Sequence, residues 1–323
     1  MSAGPIDAGL KRIGFSVPRV DAAGKVTGEA LYPADLRRPD FLHARVAFTN
    51  QPHARLLSMD VTPALAVPGV VEVVTAADVP VNEYGLVFRD QPVLIGTTHS
   101  GRAAVACEIS RWEADHLALV VAETIEAATA GAEAIVTEWE QLPVLADTDT
   151  SLASSLLLHP ENGKDTNAYH HLRIRKGDVA AGWEAADIVV EGTYELPLQE
   201  HAYLQPEAAI SYMDEMGRIT IEVAGQWIHE DQEQVAHALD VAPELIRVIY
   251  PAIGGAFGGR EDMSLQIVMA LATRKLHERG INRPIRSQWS REESIVGHHK
   301  RHRGRITARL GATRGGLITA VEA

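Results

Sequence analysis

The sequence predicts a mixed α/β (α+β) protein built as two successive units, and three observations carry that expectation. Short Val-, Leu- and Ile-rich runs separated by turn residues fill roughly residues 28–146. A strand, a glycine-rich turn and an apolar helix follow one another between residues 245 and 276. A polar stretch over residues 147–170, rich in Ser, Thr, Asp, Asn, Gly and Pro, separates the two. At 323 residues the chain exceeds what one core usually serves, so two or more domains are expected.

Residues 1–16 read as a loose opening arm and residues 17–146 as the first α/β unit. Within it, residues 41–48 predict a strand, 58–67 a strand running into a short helix, and 69–75 another strand. Residues 115–122 predict a buried strand, Thr124 caps a helix over 125–134, and 135–139 return as a strand, which together read as a β-α-β passage. After the linker, residues 171–323 form the second unit. Alternation predicts strands at 188–196 and 218–224. Residues 229–239 predict a helix with Glu230 and Asp231 in its first turn, where carboxylates suit the dipole. Strands follow at 245–250 and 284–289, with a helix over 262–276 between them. Ser290 and Glu293 have capping-box spacing. The final residues predict a hairpin turning at Arg314-Gly315-Gly316.

Composition excludes several functions. A net charge of −13 is the wrong sign for a phosphate-backbone binder, so no nucleic acid is expected. No apolar run reaches a membrane-spanning length and the first residues lack a signal-peptide core, so a cytoplasmic protein without a membrane is the default. One cysteine, Cys107, allows no intrachain disulfide and supplies too few thiolates for an iron–sulfur cluster. A small buried hydrophobe is its expected role.

The chemistry concentrates in Tyr250-Pro-Ala-Ile-Gly-Gly-Ala-Phe-Gly-Gly-Arg-Glu261. Four glycines in a strand-to-helix turn can seat an anionic oxygen on backbone N–H groups, or can simply allow tight packing. The run is neither GxxxxGK[ST] nor GxGxxG, so neither nucleotide motif is supported.

Gly254-Gly-Ala-Phe-Gly-Gly-Arg-Glu261 resembles the Gly-Gly-x-Phe-Gly-Gly signature of the xanthine dehydrogenase/aldehyde oxidase family, the molybdenum hydroxylases. Three further segments resemble that family in the same order: residues 17–35, Gln199-Glu-His-Ala-Tyr-Leu-Gln-Pro-Glu207, and Gly225-Gln226 before a helix. The resemblance implies a hammerhead-like α/β domain over 17–146, then the first molybdopterin-binding domain over 171–323, incomplete at its C-terminus. It implies oxidative hydroxylation of a purine, another N-heterocycle or an aldehyde on a molybdopterin cofactor carrying molybdenum. Electrons would pass to iron–sulfur clusters and FAD on an iron–sulfur subunit and a flavin subunit. The remainder of the molybdopterin-binding subunit would be a further partner. It carries the family's Gly-x-Gly-Glu general base, which has no match here, so a non-catalytic split relative that binds and assembles is the alternative.

By the same resemblance Gly255, Ala256, Phe257, Gly258, Arg260 and Gln226 bind the cofactor, Gln226 through its amide N–H, and Glu261 orients the substrate. Read without it, Glu261 is a carboxylate favoured by a helix N-terminus and Gln226 an ordinary loop glutamine. Glu200, His201 and Tyr203 read as pocket wall or core polar groups on a strand, with no convergent metal set. Gln205 replaces an acidic residue of the family. His298-His-Lys-Arg-His-Arg303 reads as a solvated surface or an interface.

Overall fold

The computed structural model describes residue 14, residues 16–98 and residues 101–323. Apart from Gly14 and Ser16, the expected opening arm lies outside the described residues. The first half runs α1 (Ala22–Thr27), β1 (Leu42–Phe48), β2 (Ala54–Asp60), α2 (Thr62–Leu65), β3 (Val70–Val74), β4 (Ile109–Ser110), β5 (His116–Ala122), α3 (Ile125–Glu133) and β6 (Val136–Gln141). Two short helices follow, α4 (Thr148–Ala153) and α5 (Val179–Glu184). The second half runs β7 (Ile188–Leu196), β8 (Ala208–Met213), β9 (Ile219–Val223), α6 (Ile228–Leu239), β10 (Ile246–Ile249), α7 (Gln266–Glu278), β11 (Ile285–Gln288), α8 (Arg291–Gly297), β12 (Gly304–Ala312) and β13 (Ile318–Glu322).

A mixed seven-stranded sheet, ordered β10-β9-β8-β11-β1-β5-β3, takes strands from both halves. The halves join along the parallel β1–β11 ladder, where Leu42 faces Ile285 and Ala44 faces Ser287. Leu42, Ala44 and Ile285 are fully buried there, as expected of strands covered on both faces. Burial of a Leu42-sized side chain contributes about 1.5–3 kcal/mol. The Ser287 hydroxyl donates to the Ala44 carbonyl at 3.0 Å, so this buried polar side chain at the seam is satisfied.

α7 is apolar nearly all round and lies buried across the sheet, with Ile267 to Ala272 and Leu276 in the main core. Its cationic end fastens the second half to the first. Lys275 Nζ donates to the Val73 carbonyl at 3.0 Å and to Asp78 at 2.8 Å, and Lys275 and Arg279 both pair with the buried Glu72. A buried carboxylate with two cations and no free charge is tolerable where an unpaired one is not.

α3 begins as the sequence predicts, with the Thr124 hydroxyl accepting the Ala127 N–H at 3.1 Å. Its flanking strands do not form a β-α-β unit in one sheet. β5 already has β1 and β3 on its two edges, so β6 pairs with β2 in a separate three-stranded sheet, β4-β2-β6. The half-exposed alternation of β6 suits that surface position, with Trp139 turned onto the smaller core around Leu56, Ala64 and Val120. A third sheet, β13-β12-β7, holds the C-terminal hairpin the sequence predicts. Among the described residues no helix is long and apolar enough to cross a membrane.

Candidate functional site: a glycine turn between two clefts

β10 ends at Ile249 and α7 starts at Gln266, so the glycine run occupies a long irregular turn. The helix begins later than residue 262 because side chains bind the intervening backbone. Asp262 accepts the Met263 N–H at 2.8 Å, and Gln266 Oε1 accepts the Ser264 N–H at 2.8 Å. Glu261 therefore stands in the turn itself, and the helix-terminus explanation for its carboxylate does not apply.

Three of the four glycines are required by packing within the chain. A Cβ at Gly254 would lie 2.6 Å from Gln205 Cβ, one at Gly255 3.0 Å from Tyr203 Cβ, and one at Gly259 2.9 Å from His201 Nδ1. The segment 201–205 presses against the turn, and the glycines admit it. Gly258 differs. Its φ of +91° is a glycine conformation, yet its nearest neighbours are His201 Nε2 at 3.7 Å and Glu261 Oε1 at 3.9 Å, so its side faces open space. Next to it, Phe257 holds a φ of +54°, and the residue is 76% exposed. Phe257 thus combines a backbone conformation that side-chain-bearing residues seldom adopt with an exposed side chain.

Gln226, in the segment between β9 and α6, reaches over this turn. Its Oε1 accepts the N–H of Gly258 at 3.0 Å and that of Arg260 at 3.2 Å, and its backbone N–H donates to the Arg260 carbonyl at 3.1 Å. Two donors on one atom fix the amide's orientation, which leaves Nε2 as the outward donor. Gly254 donates to Gln205 Oε1 at 2.7 Å and Gly259 to the Ala256 carbonyl at 2.9 Å. Among the described residues the N–H groups of Gly255, Ala256 and Phe257 have no partner.

Arg260 does not reach the clefts. Its side chain is buried, stacked 4.1 Å over the Tyr203 ring with Nη2 donating to the Gln205 carbonyl, and burial lowers its pKa. Its contribution to the site is its backbone. Residues 200–206 are not a strand but an irregular segment, with Ala202 at a φ of +47°. Tyr203 is fully buried and donates to Glu207, and Arg291 clamps the Tyr203 carbonyl at 2.9 Å.

Gly258 lies on the wall between two clefts. One, of about 540 Å³, is lined by Gly258, Glu261, Asp262, Asp90, Arg111 and Trp112 among others. The other, of about 500 Å³, is lined by Phe257, Gly258, Glu200 and His201, with His299 and Lys300 shared between them. Glu261 makes no hydrogen bond or ion pair among the described residues, so its carboxylate is free to accept. Arg111 is committed to Glu161 at 2.9 Å, and Lys300 to Glu200 at 3.1 Å.

Only the second half of the histidine run, residues 301–303, is a solvated surface; its first residues turn inward. His298 is 2% exposed, its ring packed 4.7 Å from that of Tyr203 and its Nε2 2.9 Å from Glu200. His299 stacks on Trp112 at 5.7 Å, and desolvation holds its pKa below the ordinary value against the pull of Asp262. Sequence reasoning missed these wall residues, with Arg111 and Trp112, because they come from distant segments that only the fold brings together. The one available signal was the density of histidine beside a capping box.

Residues 158–323 match the family described as molybdopterin cofactor-binding domain, and residues 27–143 match the aldehyde oxidase and xanthine dehydrogenase a/b hammerhead domain. The chain is 35% identical over 304 residues to a probable xanthine dehydrogenase component of Bacillus subtilis, covering 94% of this chain and 38% of that protein. It is 33% identical over 311 residues to the nicotinate dehydrogenase large molybdopterin subunit of Eubacterium barkeri, covering 96% and 69% respectively. The solved aldehyde oxidoreductase of Desulfovibrio desulfuricans superposes with a TM-score of 0.81 at 26% identity, over 95% of this chain and 34% of that one. The chain thus spans well under half the length of the Bacillus relative and of the solved enzyme.

Proposed function

We propose, because the chain belongs to the aldehyde oxidase and xanthine dehydrogenase family, that it supplies the hammerhead and first cofactor-binding units of a molybdenum hydroxylase. The observation that carries this reading is the Gln226 amide, whose carbonyl is consumed by the turn and whose N–H₂ is left to donate. The donors fit an oxygen-rich anionic group: Gln226 Nε2 and the unpartnered N–H groups of Gly255, Ala256 and Phe257, beside a Gly258 with open space on its side.

A molybdopterin cofactor bound there would supply the redox chemistry of hydroxylating an electron-poor carbon. This chain's residues would bind and orient. Gln226 and residues 255–258 would hold the cofactor, with the exposed Phe257 ring covering it. Glu261 would accept a hydrogen bond from an N–H or O–H of a purine or another N-heterocycle and so aim its reacting carbon. An aldehyde, which lacks such a donor, would gain less from it.

Electrons would leave through groups that these residues do not supply. Cys107 is buried in the first half, its thiol pushed up to about 11 by desolvation and 3.6 Å from the Asn82 carbonyl, so it serves no cluster. Iron–sulfur and FAD subunits, with the remainder of the molybdopterin-binding subunit, would complete the enzyme. The test is the molybdenum and pterin content of the chain purified with its partners. Near-stoichiometric content is expected. A complex of intact chains that contains neither would refute the proposal in favour of an assembly role.

A further inference from the structure

Asp231 is a fully buried carboxyl in the first turn of α6 that the proposed function does not use. Sequence alone suggests a helix-dipole role, but its contacts run elsewhere. Its Oδ2 accepts the Tyr250 hydroxyl at 2.6 Å and the Gln266 amide N–H at 3.0 Å. Tyr250 directly follows β10, and Gln266 opens α7, so these are the two ends of the glycine-rich turn. Gln266 also uses its Oε1 to accept the Ser264 N–H at 2.8 Å, tying the last part of the turn to the same carboxyl.

The arrangement also accounts for Gly225. A Cβ there would lie 2.1 Å from the Tyr250 hydroxyl and 2.9 Å from Asp231 Oδ2, so only glycine lets the hydroxyl pass over the backbone to the carboxyl. The next residue is Gln226, which grips the middle of the turn through Gly258 and Arg260. No cation contributes to the Asp231 environment, and its other oxygen, Oδ1, is buried without a partner. A buried carboxyl that has no cation beside it and joins two loop ends through hydrogen bonds fits an organising role better than an electrostatic one.

We infer that Asp231 is a positioning residue: it fastens both ends of the 250–266 turn and thereby sets the shape in which Gln226 and Gly258 meet. Its consequence for cofactor binding rests on the proposed function; its effect on the turn does not. Asp231 closes the turn from α6, while Gln226 holds its middle from the segment before that helix.

The test is hydrogen–deuterium exchange on the full chain without cofactor, following peptides over 225–231 and 250–266, with 42–48 and 116–122 as references. In Asp231→Ala, exchange across 250–266 should rise about tenfold or more while the reference strands stay unchanged. Asp231→Asn keeps an acceptor for the tyrosine hydroxyl, and it should restore exchange to within about threefold of wild type. Tyr250→Phe deletes one hydroxyl and should loosen the turn by an intermediate amount; it carries the test if the alanine variant fails to fold. Unchanged turn exchange, or a rise shared equally by the reference strands, overturns the inference. Molybdenum content of the assembled complex then separates the claims. Cofactor loss in Asp231→Ala with a loosened turn supports the positioning role, whereas a loosened turn with full molybdenum overturns it. A wild-type complex without molybdenum would sink the proposed function, while the exchange result would still decide the role of Asp231 in the turn.

Discussion

The Oε1 of Gln226 lies 3.0 Å from the backbone nitrogen of Gly258, and that contact decides which end of the amide faces outward. The Arg260 N–H reaches the same oxygen at 3.2 Å. A carboxylate in place of the amide could accept both bonds but could donate nothing. Gln226→Glu should therefore preserve the turn and still lose the cofactor, because it removes the donor and sets a negative charge against an anionic group. Molybdenum content should fall at least as far as in Gln226→Ala, with the melting temperature close to wild type. Full metal content in Gln226→Glu would mean that the outward N–H₂ is not used.

Adjacent glycines should fail in different ways. Gly258 has a left-handed backbone and open space, so Gly258→Val strains the turn by about 1–3 kcal/mol but meets no packed neighbour. It should stay folded and lose molybdenum. A Cβ at Gly259 would press on His201 and on Tyr203 at 3.0 Å, so Gly259→Ala should cost about 1–3 kcal/mol of stability through overpacking. Urea midpoints and metal analysis on the two variants give the contrast. If Gly258→Val kept both metal and rate, the turn would be a packing feature only.

Glu261 has no internal partner among the described residues, so neutralising it should leave the fold alone. In the complete enzyme, Glu261→Gln should retain molybdenum and lose about 1–3 kcal/mol of transition-state stabilisation with a heterocycle that donates a hydrogen bond. With an aldehyde substrate the loss should be smaller. Equal loss on both substrates, from steady-state kcat/KM, would argue against a substrate-orienting contact.

These residues show what was legible in the sequence and what was not. The strand over 188–196, the Thr124 cap, the Ser290–Glu293 capping box and the C-terminal hairpin are local, carried by period and by short-range hydrogen bonds. Expectations failed where partnership is remote. Nothing in residues 42–44 specifies residues 285–287 as neighbours, and nothing in β5 announces that both its edges are taken. β8, with the short run Ala-Ala-Ile-Ser-Tyr-Met, was too weakly patterned to predict. At the site, the glycines and Gln226 were readable through a motif. The inward turn of Arg260 and the burial of His298 were not, because both depend on Tyr203, a long way off in sequence.

The shared sheet makes a definite statement about cleavage in the connection between the halves. Residues 147–170 are held at several points: Arg111 donates to the Leu158 carbonyl at 2.7 Å, and Tyr169 packs edge-on against Phe88 at 4.7 Å. The exposed stretch from 170 to 178, with Arg173, Arg175 and Lys176, has no regular structure. Trypsin should cut first after Arg173, Arg175 or Lys176. The nicked halves should still elute together from a size-exclusion column, since β1 and β11 hold them. Early cutting at Arg45 in β1 or Arg286 in β11, or separation of the fragments without denaturant, would contradict this picture.

Acid stability should turn on His116. Its ring sits 5.6 Å from that of Phe48 and 5.9 Å from that of Trp289, and desolvation, with a smaller push from His299, lowers its pKa to about 4. An unfolded histidine titrates near 6.5, so between about 4 and 6.5 the unfolded chain binds more protons than the folded one. Stability from this group is therefore complete above 6.5 and is lost as the pH falls towards 4. Asp115 and Asp231 act oppositely. Desolvation raises each carboxyl to about 6, the folded chain holds their protons longer, and stability falls as pH rises from about 4 to 6. The terms oppose one another over the same window, so the wild-type pH profile should be shallow. His116→Phe keeps an aromatic ring between Phe48 and Trp289 and removes one term. Between pH 7 and pH 4.5 the variant should gain about 1–3 kcal/mol relative to wild type, read from urea unfolding at both pH values. Parallel profiles for the two proteins would show that His116 is not held neutral by its surroundings.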